Sequence, residues 1–273
     1  MNSRQALHQM VSRLFLRLLF LFALLPCQVS AGEVESVLII SIDALHPDAL
    51  GKRTAKNIHA MMERGVFTLN GHSTSPPLTL LSHAAMFSGI GPSQGGRKDN
   101  SWHHGQNQIR QKTIFDEAKL NGFSTGFFYS KEKLGFLCSD SIDQTRYDPD
   151  FSVENAVAFF KKPGGKKFCF LHISGLDRTG PVEGWLSEGY MEELSFIDES
   201  LIPLVKLVTS EKGYLLIITS DHAGHGKIHG SDHPDDAKLP FVMLSDTVDL
   251  KPYQAMNYYV TDLKPILKKV LAL

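Results

Sequence analysis

The sequence contains little cysteine, almost no net charge and only one conspicuous apolar run. Cysteine accounts for 3 of its 273 residues. The 28 lysines and arginines are balanced by 29 aspartates and glutamates, which excludes nucleic-acid binding through bulk neutralisation of phosphates. Hydrophobic residues make up 42% of the chain, enough for the core of a large globular domain.

The apolar run lies near the beginning of the chain. Three arginines precede residues 18–25, Pro26 ends the run, and the sequence Val-Ser-Ala ends at Ala31. Positive charges, a short apolar block and a small-residue end are typical of a secretory signal peptide, and the block is too short to span a bilayer. We therefore expect a signal peptide at 1–31, a single domain at 32–273 and an exported protein, periplasmic or secreted, without a stable membrane span. An uncleaved membrane anchor is the alternative.

Cys138 and Cys169 remain after removal of such a leader. An exported compartment permits a disulfide between them. Cys169, however, lies in the apolar run FCFLHI, which is typical of a buried free thiol. Both alternatives stay open at this point.

Short apolar runs alternate with helical patterns along the rest of the chain. This alternation predicts an α/β fold with a mostly parallel central sheet and helices on both faces. The strand-like runs are at 37–40, 124–129, 166–173, 213–220 and 239–244. The helical patterns are at 54–64, 113–122, 152–162 and 187–208, and from 261 onward.

Acidic side chains follow three of these strand-like runs. Asp43 follows the first, Asp177 follows FLHI by a few residues, and Asp221 follows LLIITS at once. Parallel sheets bind ligands beyond the carboxyl ends of their strands. Three carboxylates at three strand ends therefore predict one shared polar edge.

The segment TSDHAGHGKIHGSDHPDD, at 219–236, contains four histidines and several aspartates. Carboxylates and neutral imidazoles are the ligands preferred by zinc, with manganese as an alternative. The intervening glycines let the backbone bring several ligands to one point. This composition favours a metal site over a polar loop with incidental histidines.

A single hydroxyl in SPPLTLLSHAAMFSG, that of Thr79, stands where a helix would open. Anions collect at helix N-termini. A bound dication can activate a hydroxyl that is otherwise a poor nucleophile. The combination suits attack on a phosphate group, although most threonines in such a place only cap their helix.

These motifs, in this order and spacing, resemble the type I phosphodiesterase/nucleotide pyrophosphatase family of the alkaline phosphatase superfamily. The resemblance covers nearly the whole chain after the leader. The segments that carry it are LIISIDALHPDAL, PPLTLLSHAAMFSGIGPSQGGRKDN, TIFDEAKLNGFSTGFFYSKEKL, DRTG and SDHAGHGKIHGSDHPDDAKLPFVM. It implies an alkaline phosphatase-like fold and phosphoric ester hydrolysis, with a small phosphate ester or nucleotide as substrate.

The resemblance also implies roles for individual residues. Thr79 matches the nucleophile that forms a covalent phospho-enzyme, and Asn100 matches an asparagine that donates a hydrogen bond to the phosphoryl group. Two zinc ions are implied. One site would use Asp43, Thr79, Asp221 and His222, and the other Asp177 and His229.

The chain departs from the family pattern at the second metal site. The family has Asp-x-x-Gly-His, whereas this chain has Pro181 in place of the histidine. A proline side chain offers no ligand atom. We expect either that Glu183 or His225 substitutes for it, or that the second site is weak or empty.

The sequence thus predicts an exported metal-dependent phosphodiesterase or nucleotide pyrophosphatase. A phosphomonoesterase or phosphotransferase of the same superfamily is the first alternative, and a non-catalytic phosphate-binding protein is the second. The segment Lys131-Glu132-Lys133 is interpreted as a solvated charged face and not as a phosphate clamp.

Overall fold

The fold is built around a seven-stranded sheet, seen in a computed structural model that describes residues 33–272. The spatial order of the strands is β2-β7-β6-β1-β5-β3-β4. Only β7 runs antiparallel to its two neighbours. The strands are β1 (Ser36–Ile42), β2 (Val66–His72), β3 (Ser124–Tyr129), β4 (Gln144–Tyr147), β5 (Lys167–Ile173), β6 (Tyr214–Thr219) and β7 (Lys238–Ser245).

Helices cover both faces of this sheet. Within the described range they are α1 (Lys56–Arg64), α2 (Thr79–Ser88), α3 (Ile114–Leu120), α4 (Ser152–Lys161), α5 (Gly175–Glu183), α6 (Glu188–Ser200), α7 (Ile202–Thr209) and α8 (Leu263–Val270). Side chains of β1 alternate between two cores: Val37 and Ile39 pack on one face, and Leu38 and Ile40 on the other. The predicted α/β fold with a mostly parallel sheet is confirmed.

Helix α2 is anchored by its aromatic side chain. The Phe87 ring packs edge-on against Phe115, Phe127 and Phe170, with ring centroids 5.2, 5.3 and 4.7 Å away. Every residue of α2 is buried. Such aromatic contacts fix the position of this helix, and hence of its first residue, relative to the sheet.

Two local differences from the sequence prediction have simple causes. The predicted helix at 187–208 is divided into α6 and α7, because Pro203 lacks the N–H that a continuous helix needs. Strands β2 and β4 are not among the predicted strands; they lie at the two edges of the sheet and most of their side chains are partly buried or exposed, so their patterns are weak.

The predicted signal peptide lies outside the described residues, so the division of the chain into 1–31 and 32–273 stays a prediction. In the part that is described, no helix is both long enough and apolar enough to cross a membrane. Cys138 and Cys169 are both free thiols, and Cys169 is fully buried in β5.

Candidate active site

Four neighbouring strands, β6, β1, β5 and β3, deliver polar side chains to the carboxyl edge of the sheet. Asp43 directly follows β1, and Asp221 follows β6 by two residues. Asp177 lies in the first turn of α5, just beyond β5. The three predicted acids therefore share one edge, and the first two are fully buried.

His222 stands at the centre of these acids. Its Nε2 atom lies 3.3 Å from Asp43 Oδ1, 3.6 Å from Asp221 Oδ2 and 3.6 Å from Asp177 Oδ1. Its Nδ1–H donates to the carbonyl oxygen of Ala223 at 2.9 Å, which directs Nε2 towards the carboxylates. Burial alone would lower the pKa of His222, but Asp221 and Asp43 raise it to about 9.

The residues at this point fit a metal ion. Ligand atoms of Asp43, Asp221 and His222 lie within 4.8 Å of one another. Asp43 Oδ1 and Asp221 Oδ2 are buried and form no hydrogen bond within the described residues. Unpaired buried carboxylate oxygens are costly, and a divalent cation is the group that would satisfy them.

Thr79 is the first residue of α2, and its hydroxyl faces this cluster. Its Oγ atom lies 3.4 Å from His222 Nε2. Residue Leu78, which precedes the helix, makes no side-chain cap, and the positive end of the helix points at the site. Thr79 as a whole residue is 1% exposed, so its hydroxyl is shielded from bulk water.

Asn100 is held at the same end of α2. Its Oδ1 atom accepts hydrogen bonds from the Leu80 N–H at 2.9 Å and from Lys133 Nζ at 3.3 Å. Its NH2 group donates no hydrogen bond to any described residue, so it is available to an oxygen of a ligand at the helix end.

His83, one turn after Thr79, fixes the start of α2 from within. Its Nδ1–H donates to the Thr79 carbonyl oxygen at 2.8 Å, and its Nε2 accepts from the Ser41 hydroxyl at 2.9 Å. Burial lowers the pKa of His83 to about 4, so the ring is neutral at physiological pH. It therefore positions the nucleophile candidate without adding charge.

His172 on β5 supports Asp43. The Ser130 N–H donates to His172 Nδ1 at 3.3 Å, so the proton is on Nε2, which donates to Asp43 Oδ2 at 2.9 Å. Burial alone would raise the pKa of Asp43, but the Lys131 ammonium and His172 hold the pKa of that carboxyl well below its usual range. Asp43 is therefore an anion even in a fully buried position.

Asp177 and His229, the predicted ligands of the second metal site, also lie close together, but α5 provides no further ligand beside Asp177. His229 Nε2 lies 3.5 Å from Asp177 Oδ1, and the His229 ring stacks on His222 with centroids 4.4 Å apart. Pro181 is exposed on α5. Glu183 is also exposed and belongs to no group of possible ligands in residues 33–272.

His225 does not substitute for the missing histidine. It forms a separate group with His233 and Asp236, in which His225 Nδ1–H donates to Asp236 Oδ1 at 2.7 Å. Asp236 Oδ2 accepts two further hydrogen bonds from Ser231. The histidine-rich segment thus divides: His222 and His229 face the site, and the other two histidines brace the loop.

Lys131 overturns the interpretation of the charged segment 131–133 as a solvated face. Its side chain is only 17% exposed, and its Nζ lies 2.6 Å from Asp43 Oδ2 and 2.6 Å from Asp177 Oδ2. Burial alone would lower the pKa of this lysine, but Asp43, Asp177 and Asp221 raise it above its ordinary value. The lysine is therefore a positive charge within the site.

The chain is similar in sequence to one protein family and to several known proteins. Residues 37–238 match the family model described as type I phosphodiesterase/nucleotide pyrophosphatase. GPI ethanolamine phosphate transferase 1 of Yarrowia lipolytica is 24% identical over 149 residues, which are 52% of this chain and 16% of that protein. The protein of the same name from Aspergillus oryzae is 27% identical over 161 residues, which are 54% of this chain and 15% of that protein. The chain thus spans less than a fifth of these relatives.

Solved structures with the same fold include enzymes of several kinds. The 2-O GAG sulfatase BT1596 has a TM-score of 0.71 and 16% identity, with 88% of this chain and 71% of that chain covered. An inactive variant of murine ectonucleotide pyrophosphatase/phosphodiesterase 5 in complex with AMP has a TM-score of 0.69 and 14% identity, covering 88% and 96%. The C-terminal periplasmic domain of EcEptC from Escherichia coli, in complex with Zn, has a TM-score of 0.67 and 12% identity, covering 89% and 84%. At these identities the structures establish the fold of the chain.

Proposed function

The chain belongs to the type I phosphodiesterase/nucleotide pyrophosphatase family, and on this basis we propose that it is an exported, metal-dependent phosphoric ester hydrolase with Thr79 as its nucleophile. The observation that carries the proposal is the position of Thr79 Oγ. It lies at the positive end of α2, 3.4 Å from His222 Nε2 and 3.2 Å from Lys131 Nζ. A hydroxyl at a helix N-terminus, beside a lysine ammonium and a candidate metal site, is suited to attack on an anionic phosphate.

The reaction has two balanced steps. In the first, the bond between Thr79 Oγ and phosphorus forms and the bond from phosphorus to one ester oxygen breaks. Thr79 loses its hydroxyl proton, and the departing alkoxide takes up a proton to leave as an alcohol. In the second, a water oxygen attacks the phosphorus of the phosphothreonine and the bond between phosphorus and Thr79 Oγ breaks. One water proton restores the Thr79 hydroxyl, and the other is left with the released phosphate.

Hydrogen-bond donors of the chain would stabilise the negative charge that develops on the phosphoryl oxygens. The NH2 group of Asn100 and the backbone N–H of Thr79 are the candidates for donation to the phosphoryl oxygens, as in other oxyanion pockets. His83 and Phe87 keep the start of α2 in place, and His172 keeps Asp43 ionised and oriented. Preorganised donors of this kind need no rearrangement during the reaction.

The expected metal would be held by Asp43, Thr79, Asp221 and His222. When bound, a divalent ion there supplies Lewis acidity and offsets the negative charge of the reacting groups. Mixed imidazole and carboxylate ligands favour zinc, and manganese is the alternative. The EcEptC domain, which has the same fold, forms a complex with Zn, and this supports the first choice. Asp177 and His229 are the candidates for a second ion.

Phosphodiesters and nucleotide pyrophosphates are the proposed substrates. The murine phosphodiesterase 5 variant, which has the same fold, forms a complex with AMP, and this supports a nucleotide. Export is proposed from the pattern of residues 1–31, and the periplasmic domain of EcEptC is consistent with it.

Phosphoryl transfer to an alcohol is the second candidate function. The relatives named as ethanolamine phosphate transferases favour it. Chemically it needs only one change, because an acceptor alcohol takes the place of water in the second step. The same Thr79 intermediate would serve both reactions.

The proposal is tested with purified full-length chain, zinc and bis-p-nitrophenyl phosphate, with p-nitrophenyl phosphate as the monoester control. We expect faster release of p-nitrophenol from the diester. Product analysis in the presence of an added acceptor alcohol separates hydrolysis from transfer, since transfer gives a phosphodiester of that alcohol. Absence of turnover on every ester, with one metal ion or none bound, would support the non-catalytic binding protein instead.

A further inference from the structure

The second predicted metal site has too few ligand atoms of its own. Asp177 and His229 contribute one each, and Pro181 contributes none. The remaining imidazole within reach is that of His222, which belongs to both possible ligand groups. Its Nδ1–H already donates to Ala223, so only Nε2 can bind a metal, and one nitrogen lone pair serves one ion. The two groups therefore cannot both provide three protein ligands at once.

A side-chain cation already stands between the two sites. Lys131 follows β3, the strand next to β5, and its Nζ bridges Asp43 Oδ2 and Asp177 Oδ2 at 2.6 Å each. The same ammonium donates a hydrogen bond to Thr79 Oγ at 3.2 Å. It thus contacts one carboxylate from each predicted metal site, together with the proposed nucleophile.

Lys131 and a metal ion in the first site would use different oxygen atoms. The lysine contacts Oδ2 of Asp43, whereas Oδ1 of Asp43 and Oδ2 of Asp221 are, like Oδ1 of Asp177 in the second group, buried oxygens that form no hydrogen bond in the described part of the chain. The two oxygens of the first group face His222 Nε2. The lysine therefore leaves the first metal group intact while it occupies the space beside Asp177.

We propose that Lys131 is the second cation of this site, so that the chain binds one divalent metal ion and its lysine ammonium takes the place of the other. This inference rests on the proposed function, because it assigns Lys131 a catalytic role in the same reaction. The ammonium offsets the charges of Asp43 and Asp177 and donates a hydrogen bond to Thr79 Oγ. It also explains how the chain tolerates proline where the family has a metal-binding histidine.

Metal stoichiometry tests the proposal without reference to activity. Full-length wild type is loaded with zinc and freed of excess metal by gel filtration. Elemental mass spectrometry should then find one zinc ion per chain. Pro181→His should still contain one, because Lys131 remains in place. Residue 181 is one turn after Asp177 on α5, so a histidine there shares the face of that ligand.

Removal of the lysine from that variant should open the second site. The double variant Pro181→His/Lys131→Ala is expected to bind two zinc ions per chain, with an unchanged circular dichroism spectrum. Two ions in wild type would overturn the proposal directly, with no variant needed. A correctly folded double variant that binds a single ion would contradict the idea that the ammonium excludes the metal.

Activity provides the second readout. Lys131→Ala should lower diester hydrolysis about 100-fold with one zinc still bound, since the loss of a charged donor at the reacting group has an effect of this order. Lys52→Ala, which removes an exposed lysine paired with Glu63, is the control and should match wild type. Wild-type turnover in Lys131→Ala would refute the catalytic role of the lysine. Wild-type turnover in Thr79→Ala would instead refute the proposed function, so the two failures are distinguishable.

Discussion

Thr79→Ala should reduce diester hydrolysis by at least about 1,000-fold while zinc content stays at the wild-type value. The substitution removes the oxygen that would bond to phosphorus, but Asp43, Asp221 and His222 keep their ligand atoms together. The helix itself should persist, because Phe87 and His83 anchor it and alanine is a good helix former.

Thr79→Ser is the matched control for this substitution. It keeps a hydroxyl at the first position of α2 and should retain a measurable fraction of wild-type turnover. Zinc content and unfolding temperature are measured on both variants beside the initial rates. Equal rates in wild type and Thr79→Ala would remove Thr79 from the mechanism.

Asp221→Asn should abolish zinc binding and lower the rate of turnover by about 100-fold or more. The amide retains the size of the carboxylate and an oxygen that can accept from the Ala44 N–H, which Asp221 Oδ1 does at 3.2 Å. It loses the negative charge and the unpaired Oδ2 that the metal would bind. Zinc should raise the unfolding temperature of wild type by ligand linkage and leave that of the variant unchanged.

Asp235→Asn is the control for Asp221→Asn. This aspartate lies in the same segment of the chain but is partly exposed and pairs with Lys238 at 2.6 Å. Its zinc content, unfolding temperature and turnover should stay close to those of wild type. If Asp221→Asn bound zinc as tightly as wild type, the first metal group would be wrongly assigned.

Much of the candidate site could be derived from the sequence because the relevant signals are local. Asp43 directly follows β1 and Asp221 lies two residues beyond β6, so their place at the sheet edge could be derived from the parallel topology. The departure at Pro181 was equally visible as a missing ligand. In each case a single segment of the chain contains the information.

Lys131 could not be identified in this way, because its role depends on the order of the strands in space. A lysine in the sequence Lys-Glu-Lys is typical of a solvated surface. It enters the site only because β3 lies next to β5 and β5 next to β1, which brings Lys131, two residues after Tyr129, to the two aspartates. The order of the strands along the chain does not reveal which strands are neighbours in the sheet.

His172 and Ser41 show a weaker signal that was present in the sequence. Each is a polar residue next to the last position of an otherwise apolar strand, and the two are paired across β1 and β5. A polar residue in such a position is buried and therefore needs a hydrogen-bond partner. Their partners, Asp43 and His83, come from other segments, so the network itself could be recognised only in three dimensions.

The most direct measurement is a search for the covalent intermediate. Full-length protein with zinc is mixed with a large excess of bis-p-nitrophenyl phosphate, quenched in acid within the first turnovers and digested for tandem mass spectrometry. We expect a phosphoryl ester modification on the peptide that contains Thr79, located on that threonine and missing from Thr79→Ala. Steady turnover with the modification on a different residue, or with none at any time point, would contradict the account.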